Sequence, residues 1–167
     1  MKIVYIDVQN THQRTVERWW LIDWARFFIY LKEKYKVDII YYAVGYIPKH
    51  QDLYEYLQSV WYTLLYKKTL ILPDGTIKWN VDIDIAIQSI FDLTSWKLTQ
   101  VYLVTNDGDY NTLVRTFIDH NVFAWLIAPD ASNISKLLTR LVKDIIDLQR
   151  IKHIIQKQKD SPDGESF

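Results

Sequence analysis

The feature that most narrows the fold is an alternation: segments with the composition of buried strands take turns along the chain with segments whose apolar residues recur at helical spacing. Residues 2–6 are strand-like, and Trp20, Trp24, Phe27, Phe28 and Leu31 then fall on one helical face. Residues 37–46, "VDIIYYAVGY", are β-branched and aromatic and predict a strand. Residues 53–66, "LYEYLQSVWYTLLY", return to helical spacing and lead into a short apolar run, "TLILP", and the turn "PDGT". Beyond it, "VDIDIAIQSIFDL" predicts a helix, "QVYLVT" a strand, "YNTLVRTFIDH" a helix and "VFAWLIAP" a last strand. A final helix is expected from Ser132 or Ser135, either a good N-cap, to about residue 155. Strands alternating with helices, without hairpin signals, imply an α/β chain: a three-layer α/β/α sandwich with a mostly parallel, Rossmann-like central sheet. One domain over residues 1–155 is expected, followed by a disordered tail over 156–167.

Composition removes several classes of function. The 20 basic and 20 acidic residues cancel, so no global field marks a nucleic-acid or membrane protein, and only local patches could do so. With no cysteine there is no disulfide framework, thiolate zinc site or cysteine nucleophile, and the four histidines lack metal-ligand spacing. No apolar run reaches the roughly 18 residues that span a bilayer, so no membrane partner is expected and the location expected is cytoplasmic. Four glycines, none in a phosphate-cradling pattern, leave neither a P-loop nor a dinucleotide fingerprint.

In parallel sheets, ligands bind beyond the carboxyl ends of strands, where the strand order reverses. Two acidic groups stand there. Asp7 follows the first strand, with Asn10 three residues on, while Asp107 and Asp109 follow "VYLVT". A third group, Asp82 and Asp84 in "KWNVDID", opens a helix. Singly, each suits a bland role, since Asp, Asn and Gly are ordinary turn and cap residues. Jointly they point to one crevice, and carboxylates crowded together keep their charge by holding a cation. All-oxygen ligands select Mg²⁺ or Mn²⁺, ions that activate water and stabilise a leaving oxygen in phosphodiester hydrolysis. A haloacid-dehalogenase-like phosphatase also places an aspartate after its first strand, but it needs a second carboxylate two residues later, where this chain has Gln9.

"YIDVQN", "KWNVDIDIAI" and "VTNDGDYNTLV", in this order, resemble the signature segments of NYN domains of the LabA/DUF88 type, a branch of the PIN-like nuclease superfamily. Asp7 and Asn10 match its first motif, Lys78, Asn80, Val81 and Asp82 its second, and Thr105, Asn106, Asp107, Asp109 and Tyr110 its third. The resemblance runs from Lys2 to Leu148 and takes in a Ser-x-x-Leu helix start at Ser135 and Leu138. It implies a PIN-like sandwich acting as a metal-dependent ribonuclease, with Asp7, Asp82, Asp107 and Asp109 as Mg²⁺ or Mn²⁺ ligands, Asp84 as a candidate addition, and Asn10 orienting a ligand or the scissile phosphate.

The chain departs from the family pattern at Val8, Trp79 and Asn106, where glycine is usual, and at Gln88, where another aspartate is common. Asp84, one helical turn before Gln88, is the residue placed to compensate. A fold retained for RNA binding or protein interaction, with little or no cleavage, is the alternative. For substrate, Lys78, Asn80, Thr105 and Asn106 are candidates, with His12, Gln13 and Arg14 at the rim; residues 136–159 add seven basic residues against two acidic. Single-stranded or structured RNA is the partner expected, with exposed aromatics offering stacking surfaces for unpaired bases. A homodimer through the aromatic segment around Trp19 and Trp20 is the interaction alternative.

Overall fold

Period-two alternation in the first strand shows how the layers arise. In β1 (Lys2–Asp7), Ile3 and Tyr5 enter one core and Val4 and Ile6 the other, all fully buried. A strand apolar on both sides must be covered on both, and it is. The computed structural model describes residues 1–74, 77–95 and 98–158, with the side chains of Ile71, Ile77 and Lys78 also outside the description.

Six strands form one all-parallel sheet: β1, β2 (Ile39–Tyr46), β3 (Thr63–Lys68), β6 (Gln100–Val104), β7 (Phe123–Ala128) and β8 (Ile145–Asp147). Their spatial order is β3-β2-β1-β6-β7-β8. The chain thus moves outward from β1 to β3 and returns to β6 on the other side of β1. That reversal is the switch point at which neighbouring loops part. A separate antiparallel pair, β4 (Leu70–Ile71) and β5 (Ile77–Lys78), flanks the expected turn and has no counterpart among the expected strands.

One face is covered by α1 (Val8–Glu17), α2 (Trp24–Tyr35), α3 (Gln51–Ser59) and α7 (Leu148–Ile155), whose buried residues include Val8, Phe27, Leu31, Leu57 and Leu148. The other is covered by α4 (Asp82–Thr94), α5 (Asn111–Asp119) and α6 (Lys136–Thr139) through Ile85, Val114, Phe117 and Leu138. No helix among the described residues is long and apolar enough to cross a membrane.

Three expected elements differ. Helix α3 ends at Ser59 instead of running to residue 66, and the residues after it pair with β2 as β3. Trp61, in the left-handed region at φ 75°, breaks the helix there. Helix α2 begins at Trp24, behind an N-cap in which Asp23 accepts from the Arg26 N–H, so Trp20 reaches the same core from a loop. The final helix is three pieces: α6, the extra edge strand β8, and α7. Ile145 and Ile146 pair with Leu126 and Ile127, and Asp147 then caps α7 by accepting from the Gln149 N–H. "VFAWLIAP" is therefore not the last strand. Of the tail expected over 156–167, Gln156 forms an isolated bridge with Ile22, and residues 159–167 lie outside the described residues.

Candidate metal centre

Asp7 occupies both the last position of β1 and the N-cap of α1, so its backbone ends the strand while its side chain begins the helix. One carboxylate oxygen accepts from the Asn10 N–H at 3.1 Å and the other from the Thr105 hydroxyl at 3.2 Å. Thr105 lies just past β6 and in turn accepts from the Asp107 N–H at 3.1 Å. Asn10 closes a second link, its side-chain oxygen accepting from the Asn106 N–H at 2.8 Å. The ends of β1 and β6, neighbours across the switch point, are thereby tied together by side chains.

Asp107 caps a short 3₁₀ turn over Gly108–Tyr110, accepting from the Asp109 N–H at 2.9 Å. Just before α4, whose N-cap is Val81, the Asn80 side-chain oxygen accepts from the Asp82 N–H at 2.7 Å. These turns bring three carboxylates to one point: Asp82, Asp107 and Asp109 each offer an oxygen within 4.8 Å of the others. Asp7, Asp82 and Asp107 also line a single open cleft of about 240 Å³, together with Gln9, Asn10, Gln13, Trp79 and Asn80.

Asp7 is only 4% exposed. Burial pushes its carboxyl up to about 7; the charges of Asp82 and Asp107 add to that, while hydrogen bonds from Asn10 and Thr105 oppose it. Tyr110 is buried beside them, and its phenol is driven far above its ordinary range by burial first and by the charges of Asp7, Asp82 and Asp107 after it. Its hydroxyl lies near the Asp82 carboxylate without making a hydrogen bond of good geometry. A neutral donor therefore faces a concentrated negative charge. In the sequence Tyr110 reads only as an aromatic; the hydroxyl, and the helix-start carboxylate it faces, are visible only in three dimensions.

The remaining sequence candidates separate. Asp84 forms an ion pair with Lys67 of β3 at 2.9 Å and is outside the triad of carboxylates. Gln88 donates to Tyr41 at 3.2 Å and to Asp92 at 3.3 Å, within a network that also receives the Tyr5 hydroxyl on Asp92 at 2.6 Å. Val8 packs into the core, whereas Trp79 does line the cleft. Thr105 and Asn106 are buried, and Asn106 donates to the Asp130 carbonyl at 2.7 Å. His12 is partly buried, which lowers its pKa, and Arg14 pairs with Glu17 at 3.0 Å. The Lys78 side chain lies outside the described residues.

The three converging carboxylates of Asp82, Asp107 and Asp109, beside an open cleft that Asp7 also lines, form an all-oxygen donor set of the kind that suits a hard divalent cation. A cation would also offset the charges of Asp82 and Asp107, which add to the effect of burial on Asp7.

Comparison with known proteins agrees with the geometry. No curated protein matches the chain. Among solved structures, a protein of unknown function from Vibrio parahaemolyticus superposes with a TM-score of 0.74 at 20% identity, over 93% of this chain and 95% of its own. At that identity it supports the fold alone. The NYN domain family model matches residues 2–149, nearly the whole sandwich and all of the acidic centre, and the chain therefore belongs to the NYN domain family of the PIN-like nuclease superfamily.

Proposed function

We propose that this protein is a metal-dependent ribonuclease that hydrolyses RNA phosphodiester bonds at the switch-point cleft. The observation that carries this reading is the convergence of Asp82, Asp107 and Asp109 within 4.8 Å at the cleft that Asp7 also lines. Membership of a nuclease superfamily supports hydrolysis, and the oxygen-only donor set supports Mg²⁺ or Mn²⁺. Asp7, Asp82, Asp107 and Asp109 would hold the ion, which supplies water activation and charge stabilisation at the phosphodiester when bound. Asn10 is held by the Asn106 N–H so that its amide N–H₂ remains available to a phosphate oxygen, and Gln9, Gln13 and Asn80 offer further amides at the mouth. Tyr110 keeps its proton and faces Asp82, limiting charge build-up there.

A second reading, RNA binding with weak or no cleavage, is favoured by Trp79, which narrows the cleft, and by Gln88, an amide engaged with Tyr41 and Asp92, while Asp84 one turn before it is ion-paired with Lys67. A labelled single-stranded RNA incubated with Mn²⁺ or Mg²⁺ separates the two. Cleavage by wild type that is lost in Asp107→Asn and on chelation is the expected result. Binding without cleavage would establish the second reading, and neither would refute both.

A further inference from the structure

Trp19 stands out on the surface for reasons that oppose stability. It is 93% exposed, and its backbone has φ 60°, in the left-handed region where a side chain is disfavoured. It directly follows Arg18, the C-cap of α1, at the position helices usually give to glycine, and the turn is closed by the Trp20 N–H on the Thr15 carbonyl. Glycine there would relieve the backbone and remove an indole from water. The neighbouring Trp20, by contrast, is buried in the core.

Its position relative to the cleft is fixed from both ends of α1. The helix begins at Asp7, and Gln9, Asn10 and Gln13 from its first turns line the cleft. Gln9, Gln13 and Val16 are spaced along one helical face, and Val16 is itself 45% exposed. At 1.5 Å per residue, Trp19 lies roughly 13 Å along the helix from Asn10. The far end is pinned to the same rim of the sheet: the Arg18 guanidinium donates to Asp130 at 2.7 Å and to Ser132 at 2.5 Å, and Asp130 follows the carboxyl end of β7. The Asp130 carbonyl accepts from Asn106, whose N–H holds Asn10. A continuous hydrogen-bonded ridge therefore joins the acidic centre to the residue beside Trp19.

Resting on the ribonuclease reading, we propose that Trp19 is a stacking subsite for an unpaired base, placed a few nucleotides from the scissile phosphate, which selects single-stranded RNA. An indole presents a flat, sequence-tolerant π-face, and amides along α1 are suited to the intervening sugars and phosphates. A duplex keeps its bases stacked on one another and offers none to Trp19.

Trp61 is an internal control. It is 81% exposed and also left-handed, at φ 75°, but it precedes β3 and so lies at the opposite end of the sheet. The test is fluorescence anisotropy with a labelled single-stranded RNA of about 12 nucleotides, with and without Mn²⁺, in the Asp107→Asn background to prevent turnover. Adding W19A is expected to weaken binding about tenfold or more, with W19F retaining most affinity, W61A unchanged and blunt duplex RNA insensitive to all three. W19G should raise Tm while lowering affinity, a pair of opposite shifts that a purely structural residue would not give. Unchanged affinity in W19A, alongside cleavage by wild type, overturns this inference alone. Absence of RNA binding by the protein with Trp19 intact overturns it together with the ribonuclease reading. A W19A effect confined to self-association in sedimentation would make Trp19 a contact between protein copies and overturn the subsite.

Discussion

Asp7 is the carboxylate of the cleft on which burial acts most strongly. Its folded-state pKa, about 7, lies above the unfolded value near 4, so the folded protein binds more protons than the unfolded one between those limits. Stability should therefore fall as pH rises from about 4 to 7, by about 3 to 4 kcal/mol at most, and remain low above that. In metal-free buffer, melting curves across that range should show a slope in wild type that is reduced in Asp7→Asn, where that carboxyl is absent. Asn10 gives a second prediction. Asn10→Ala leaves the Asn106 N–H without its acceptor in a buried setting, and denaturant unfolding should show a loss of about 1–3 kcal/mol. Asp7, Asp107 and Asp109 were legible because strand ends are marked by a change from apolar to acidic residues. Asp84 was not, because its partner Lys67 lies on β3, and only the register of β3 against β2 brings that lysine to α4.

At the scale of elements, the site depends on how helices begin. Helix α4 starts where Asn80 accepts from the Asp82 N–H, and the preceding residue, Trp79, packs over Gly45 of β2. A Cβ at residue 45 would collide with the Trp79 ring and with Thr69. Gly45→Ala should cost about 1–3 kcal/mol of stability in denaturant melts. It should also weaken divalent-ion binding, because displacing Trp79 moves the turn that aims Asp82. Local sequence foretold the start of α4 well, since an Asn followed by acidic residues is a helix-start signal. It failed where one stretch suits two periods. Leu64, Leu65 and Tyr66 fit the helical spacing of the preceding residues as readily as a half-buried strand, and pairing with β2 decides for the strand. Likewise the Ile145–Asp147 segment satisfies helical spacing until an open edge at β7 offers it hydrogen bonds. Both failures concern edge strands, whose identity depends on a distant neighbour.

At the scale of the whole molecule, topology makes the acidic cleft. The parallel order places β1 beside β6, and loops leaving those two strands diverge and leave a cleft whose lining is mostly polar. The alternation of strand and helix patterns made this architecture legible in advance; the antiparallel pair β4 and β5 was hidden because each strand is two residues long. A carboxylate cluster held by a rigid sheet carries its repulsion in the folded state alone, so a bound cation should stabilise folding. With Mn²⁺ at about 100 times its Kd, linkage gives about 2.7 kcal/mol and a Tm increase of about 5–10 °C. The central claim, that these carboxylates form a cation site, is tested most directly by isothermal calorimetry with Mn²⁺ and Mg²⁺ on wild type and Asp107→Asn. Saturable binding in wild type, abolished or weakened at least tenfold by the substitution, is the predicted result. Wild type that takes up neither ion, or binding that the substitution leaves intact, would contradict it.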